Sequence, residues 1–170
     1  MILNLSAQIP GNFPSGGDLL KAVRQALKET MKQAKKDSAQ GIKQRYVKPT
    51  LGTRKLKMRT AGLIGTLFSQ GQVQSATKFI VKPRRRVKRL PQGTFLQAVK
   101  GQGGYLPRSF IGEGKLNLQL YQRESKSSLP IKKINTVSEP GMFMAAAERF
   151  AVGKKIERNF GAFLNKAFSI

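Results

Sequence analysis

Residues 115–140 contain a regular alternation of apolar and polar side chains. Leu116, Leu118 and Leu120 are each separated by one polar residue. Successive side chains of a strand point to opposite faces, so a strand here would place all three leucines on one face. Such alternation is typical of a half-buried strand in an antiparallel sheet. The sequence therefore predicts a strand over Leu116–Gln122 with one face on a core.

Two prolines punctuate the chain after this strand. Pro130 has no amide hydrogen, so the segment that contains it is at best an edge strand or an extended arm. Pro140 has a fixed φ that suits the first turn of a helix. The pattern beyond it predicts a helix from about Gly141 to Phe168, which packs on the core or on a neighbouring subunit. Its apolar stripe comprises Phe143, Ala147, Phe150, Ile156, Phe160, Phe163 and Ala167.

The beginning of the chain divides into an arm and a helix. Prolines and glycines prevent regular structure over most of residues 1–17, which are predicted to form an extended arm. Its apolar start is predicted to pair with a neighbouring subunit or to fray. Asp18 suits the N-cap of a helix that runs to about Ala39, with Gly41 as its stop. The helical stripe consists of Leu19, Leu20, Val23, Ala26, Leu27, Met31 and Ala34.

Four short segments between the helices have the composition of strands. They are Leu63–Phe68, Thr77–Val81, Thr94–Lys100 and Leu116–Gln122. With a helix on either side, this order predicts one α+β domain over residues 18–170. We expect a mainly antiparallel four-stranded sheet, with one face covered by the N-terminal and the C-terminal helix.

The residue types that are absent narrow the classes of function. The 170 residues include no Cys and no His, which removes thiolate catalysis, the most common general base and most metal sites. The carboxylates are few and scattered, so we expect no enzyme, no cofactor and no metal. No run of about 18 apolar residues occurs, so no membrane partner is expected.

Positive charge is concentrated in the middle of a chain whose net charge is +24. Residues 38–112 contain no Asp or Glu but hold 16 of the 32 Lys and Arg residues. The densest block is predicted to be a loop between strands. Three interpretations of this block remain open: it contacts DNA phosphates, it docks on an acidic protein surface, or it is a solvated loop. Base stacking is not expected, because no aromatic residue lies within the block. Its cations are Lys82, Arg84, Arg85, Arg86, Lys88 and Arg89.

An ordered set of short motifs resembles the minor tail protein Z family of long-tailed bacteriophages. The resemblance covers roughly residues 18–165. Its main motifs are Arg123-Glu124, Leu129-Pro130-Ile131-Lys132-Lys133-Ile134 and Ser138-Glu139-Pro140. Three further segments are similar to that family in order and spacing: Lys78-Phe79-Ile80-Val81-Lys82-Pro83-Arg84, Ala98-Val99-Lys100 and Phe110-Ile111.

The resemblance implies a structural virion protein for tail completion or head–tail joining. Such a protein is assembled in the host cytoplasm and forms a hexameric ring at the neck or the top of the tail tube, through which DNA passes. The implied partners are further copies of the chain, a tail terminator or tail tube protein, head-completion or connector proteins, and genomic DNA. The residues predicted for subunit interfaces are Ile2, Leu3, Leu5, Leu129, Pro130 and Ile131. The alternative is a non-enzymatic nucleic-acid-binding protein of the ribosome-associated or nucleoid type.

Overall fold

The computed structural model describes residues 2–6, 16–88, 90–113, 116, 118–127 and 129–168. Helices and strands both form, which confirms the predicted α+β class. In chain order the elements are β1 (Ile2–Ser6), α1 (Gly16–Arg45), α2 (Pro49–Thr53), β2 (Leu56–Ala61), β3 (Ile64–Ser69), β4 (Val73–Ser75), a 3-10 turn (Ala76–Lys78), β5 (Ile80–Lys82), β6 (Thr94–Val99), β7 (Gln102–Leu106), β8 (Ser109–Ile111), β9 (Leu120–Arg123), β10 (Ile131–Lys133), β11 (Asn135–Ser138), α3 (Glu139–Arg149) and α4 (Val152–Phe168).

Helix α1 is longer than the predicted helix over residues 18–39, and it does not stop at Gly41. Its apolar side continues to Ile42, which is fully buried, and Tyr46 is buried just beyond the helix end. A Cβ atom added at Gly41 would lie only 2.8 Å from Cδ2 of Phe150. Gly41 therefore lets the chain between α3 and α4 pack closely against α1, and this contact outweighs the low helix propensity of glycine.

The strands form four small sheets, so the predicted single four-stranded sheet is wrong. The strand orders are β1-β3-β2, β5-β6-β7, β10-β9-β8 and β11-β4, and every pairing is antiparallel as predicted. Several strands are too short to extend a shared sheet: β5, β8 and β10 have three residues each. Pro83 and Pro107 follow β5 and β7 directly, and a residue without an amide donor ends a strand ladder.

Two of the four predicted strands are recovered to within one residue and two only in part. The segments 63–68 and 94–100 correspond to β3 and β6, and Leu63 and Lys100 lie in turns. The segment 77–81 begins as the 3-10 turn and becomes a strand only at Ile80.

The predicted strand Leu116–Gln122 begins four residues late, at Leu120. Leu120 is fully buried, whereas Leu118 is 64% exposed, so the leucines do not share a buried face. The segment before β9 folds back on itself instead: the Gly112 N–H donates to the Gln119 carbonyl at 2.8 Å. The Tyr121 hydroxyl donates to the Leu116 carbonyl at 2.8 Å and closes the same loop. Side chain to backbone bonds of this kind compete with the strand ladder.

The predicted single C-terminal helix is two helices. Ser138 caps α3, since its hydroxyl accepts a hydrogen bond from the Gly141 N–H at 3.0 Å, and Pro140 lies in the first turn as predicted. The break falls at Ala151, whose φ of 47° is left-handed. Beyond the break, α4 packs mainly on α1, so the expectation that this part of the chain covers a sheet is wrong.

Most of the predicted arm of residues 1–17 lies outside the described residues. Within it, the backbone of Ile2–Ser6 forms β1 and pairs antiparallel with β3 of the same chain, from Ile2 opposite Phe68 to Ser6 opposite Ile64. The arm therefore begins as a strand at the edge of the sheet that packs on α1.

Two apolar clusters hold the elements together. The larger lies between α1, α3, α4 and the first sheet, with Met31, Tyr46, Leu67 and Phe143 fully or almost fully buried. The smaller lies under the sheets β5-β6-β7 and β10-β9-β8 and consists of Ala76, Val81, Ile111 and Leu120. Because the smaller cluster anchors both sheets, it fixes the loop after β5 relative to the strands β8 and β9.

Candidate functional site

The basic block forms the connection between β5 and β6, as predicted. Lys82 is the last residue of β5, and the side chains from residue 84 to residue 88 are all exposed. Arg89, the sixth cation of the predicted set, lies outside the described residues. We call residues 83–88 the basic loop.

A single carboxylate holds the backbone of the basic loop. The Arg86 N–H donates to Oε1 of Glu113 at 3.2 Å. Glu113 follows β8, so this bond ties the loop to the neighbouring sheet across 27 residues of sequence. This bond uses only the backbone N–H of Arg86. Its side chain lines the cleft described next.

A cleft of about 480 Å³ lies between the basic loop and the strands β8 and β9. Its lining includes Leu90, Ser109 and Phe110, and no carboxylate among the described residues contributes to it. Five cationic side chains line this cleft, which we call the cationic cleft: Arg86, Lys88, Arg108, Arg123 and Lys126.

Three of these five cations were missed by sequence reasoning. Arg108, Arg123 and Lys126 do not belong to a charged run, and only the antiparallel pairing of β8 with β9 brings them beside the loop. The Arg123 N–H also donates to the Arg108 carbonyl at 3.2 Å, which fixes the two backbones next to each other. Sequence reasoning drew attention to Arg123 only as a member of a motif and as a partner of Glu124 in a local or inter-subunit ion pair, not as a cation of this cleft.

The floor of the cationic cleft is held in place by ring contacts. The Arg123 guanidinium lies 5.3 Å from the centroid of the Phe110 ring, a cation–π distance. The Phe110 ring is stacked on Tyr121 with centroids 6.0 Å apart. Arg108 Nη1 donates to the Glu124 carbonyl at 3.3 Å. Two of the guanidinium groups therefore have fixed positions before any ligand is present.

A second hollow, of about 400 Å³, lies beside the same loop. Three cations contribute to it, namely Lys48, Lys78 and Arg84. The exposed Leu118 and the buried Phe79 form part of its wall. Since Arg84 and Arg86 belong to one loop, positive charge extends from one hollow to the other.

The residues predicted for subunit interfaces fall on two separate strands. Ile2, Leu3 and Leu5 lie on β1, an edge strand of the first sheet. Leu129 is 67% exposed, and Ile131 begins β10, the edge strand that Pro130 led us to predict. The structure thus brings the two groups to two different sheet edges and does not join them.

No group of three or more potential metal ligands comes together among the described residues. No helix in the described part of the chain is long and apolar enough to cross a membrane. What the arrangement can do chemically is bind anions, because no carboxylate of the described residues lines the cleft beside its positive groups.

Comparison with protein families, with curated proteins and with solved structures finds no match for this chain. The resemblance to the minor tail protein Z family stays a prediction from the motifs quoted above.

Proposed function

We propose that the chain is a structural, non-enzymatic virion protein of a long-tailed bacteriophage. In this proposal it is a tail-completion or head–tail joining subunit that forms a hexameric ring at the neck or the top of the tail tube. DNA passes through the ring, and a tail terminator or tail tube protein and a head-completion or connector protein are its neighbours.

The observation that carries the proposal is where the motifs of the resemblance fall. Arg123-Glu124 closes β9, Pro130 precedes the edge strand β10, and Ser138 with Pro140 opens α3. Each of these three motifs marks a junction between elements, and this supports the proposal. Among the described residues β1 and β10 are edge strands with one side unpaired by another strand, and such edges pair readily with other chains.

The charge supports an assembly that contains a polyanion or acidic neighbours. Subunits with a net charge of +24 repel one another when they are brought together. A ring of them is stable only if negative groups balance the charge, and DNA or acidic tail and neck proteins supply such groups. The exposed basic loop is the part of the chain best placed to meet them.

Neutralising the loop in the virus tests the proposal. Arg84, Arg85 and Arg86 have exposed side chains, so changing all three to Gln should preserve the fold. We expect the variant to impair particle assembly or DNA retention, measured as the yield of DNA-filled, tailed particles. The matched control changes the exposed Lys28, Lys35 and Lys36 of α1 to Gln and should leave the yield near wild type. A normal yield of infectious particles from the arginine variant would contradict the role of the loop.

The cationic cleft favours a second candidate function. A non-enzymatic nucleic-acid-binding protein, of the ribosome-associated or nucleoid type, would also place fixed cations against phosphates. The two candidates differ in their assembly: the joining protein acts as a closed oligomer, whereas the alternative requires no oligomer. The mass of the particle in solution separates them.

A further inference from the structure

We propose that the cationic cleft is a binding site for the phosphodiester backbone of nucleic acid, and that Arg108 and Lys126 are among its ligand-contacting residues. This inference rests on the proposed function in one respect, which is that DNA is the polymer beside the subunit. It goes further by assigning the contact to a defined set of side chains outside the basic loop.

The composition of the cleft matches the chemistry of a phosphate ligand. Guanidinium groups present several N–H donors in a planar fork, which suits bidentate contact with phosphate oxygens. Arg86, Arg108 and Arg123 converge on the cleft with Lys88 and Lys126, and no carboxylate of the described residues lies in its wall. Arg123 is already oriented by the Phe110 ring, so little side-chain freedom is lost when it binds.

The backbone of Arg108 supplies an independent observation. Its φ is 58°, in the left-handed region that favours glycine or asparagine. The residue lies in the turn between β7 and β8, directly after Pro107. A glycine would fit this turn with less strain but would leave no guanidinium here. The Arg108 side chain donates to the Glu124 carbonyl, which holds its charge at the cleft, and strained residues cluster at functional sites.

The distribution of charge favours nucleic acid over an acidic protein. Positive groups continue from the cationic cleft through the basic loop to Lys48, Lys78 and Arg84 in the neighbouring hollow. Residues 38–112 hold no carboxylate, and the flanking ones are Glu113, whose Oε1 accepts from the Arg86 N–H, and Glu124, which follows Arg123. A predominantly positive surface of this kind fits a uniformly charged polymer better than a protein surface of mixed charge.

Recognition in this cleft is expected to be independent of base sequence. The Phe110 ring contacts Arg123 on one side and stacks on Tyr121, so it is not free to stack on a base. The remaining lining groups are cations, serines and short apolar side chains, and such cations suit contact with phosphates, which carry no sequence information.

The test compares binding of the full chain to a 20-base-pair duplex of arbitrary sequence across a series of salt concentrations. Counterion release gives a slope of about −0.9 in log affinity against log salt for each phosphate contact. Removing one contact with Arg108→Asn should therefore weaken binding about eight-fold at 0.1 M salt and reduce the slope by about 0.9. Asparagine tolerates the left-handed backbone, so this variant should be at least as stable as wild type.

Two controls accompany this variant. Arg158→Gln removes one positive charge from the exposed face of α4, away from the cleft, and should change the affinity by less than about two-fold. Lys126→Gln changes an exposed cation of the cleft in the turn after β9 and carries the same expectation as Arg108→Asn. It also keeps the test valid if the Arg108 variant fails to fold.

The proposal is overturned if both cleft variants bind the duplex as wild type does. It is also overturned if poly-glutamate of equal charge binds more tightly than the duplex, since the site would then be one for acidic protein. The oligomeric state is measured separately on the same samples. If the chain forms a ring and the cleft variants bind DNA as wild type does, the proposed function stands and the cleft site is wrong. If the chain is a monomer and the cleft variants bind DNA more weakly, the site is supported and the ring is contradicted.

Discussion

Gly65 lies where β3 crosses helix α1, and the two elements are in direct contact there. A Cβ atom added at this position would lie 2.5 Å from Cγ of Met31 and 3.2 Å from Cδ1 of Leu27. Both of these side chains are buried, so neither can move into solvent to make room. Glycine at this point sets the distance between the sheet and the helix.

We expect Gly65→Ala to lower the free energy of unfolding by about 1–3 kcal/mol, because overpacking a filled core forces side chains or backbone to shift. Urea denaturation of the purified chain measures the change. The matched control is Gly104→Ala, which adds the same methyl group to β7, where no atom lies within 4 Å of the new Cβ. Equal stability of the two variants would show that β3 and α1 are not packed as described.

At the same scale, sequence reasoning had no access to individual backbone angles. Arg108 and Ala151 both have positive φ, and neither is a residue type that signals this conformation. Arg108 therefore drew no attention as an isolated cation, and Ala151 appeared to continue a helix. The basic loop was predicted because its charges are adjacent in sequence. The cleft was not, because the pairing of strands distant in sequence brings its charges together.

Helix α3 begins with a capped first turn, of which sequence reasoning predicted the proline but not the cap. The Ser138 hydroxyl accepts a hydrogen bond from the Gly141 N–H, and Pro140 occupies a position where no donor is needed. Glu139, in the same turn, is buried against Gly71, where an added Cβ would overlap its carboxylate. The cap thus determines both the start of α3 and the position of a buried carboxylate.

Ser138→Ala should lower the free energy of unfolding by about 1 kcal/mol, because one N–H group of the first turn loses its acceptor. Thermal or urea unfolding followed by circular dichroism measures the loss. Ser138→Asn retains an acceptor at the cap and should recover most of the stability. If alanine and asparagine variants match wild type alike, the cap contributes nothing to α3.

The other predicted elements match the structure only where a long run of residues buries one face against the core. The stripe of α1 is buried at Val23, Leu27 and Met31, as its spacing predicts, because a long helix against a core leaves few alternatives. The leucines before β9 alternate equally well, yet the pairing with β8 ends just beyond the Gly112–Gln119 hydrogen bond, and the Tyr121 hydroxyl bonds to the Leu116 carbonyl within the loop. The pattern of apolar residues predicts an element well when many residues share one buried face. It fails where a few hydrogen bonds determine the conformation.

In the whole molecule, positive charge is distributed unevenly and the interior consists of two apolar clusters. The cluster between α1, α3 and α4 is the larger, and the small cluster around Val81 and Ile111 supports the cationic cleft. Composition predicted a basic chain that needs a polyanionic or acidic partner. The division into four small sheets was not predictable, because strands of three residues carry too little pattern to show how they pair.

The central claim is that this chain works as a closed oligomer whose positive surface is balanced by negative neighbours. Native mass spectrometry of the purified chain, with and without duplex DNA, tests it most directly. We predict a closed particle of about six copies of the 18.8 kDa chain, stabilised by the duplex at low salt. A chain that stays monomeric at every concentration, with and without DNA, would contradict the claim.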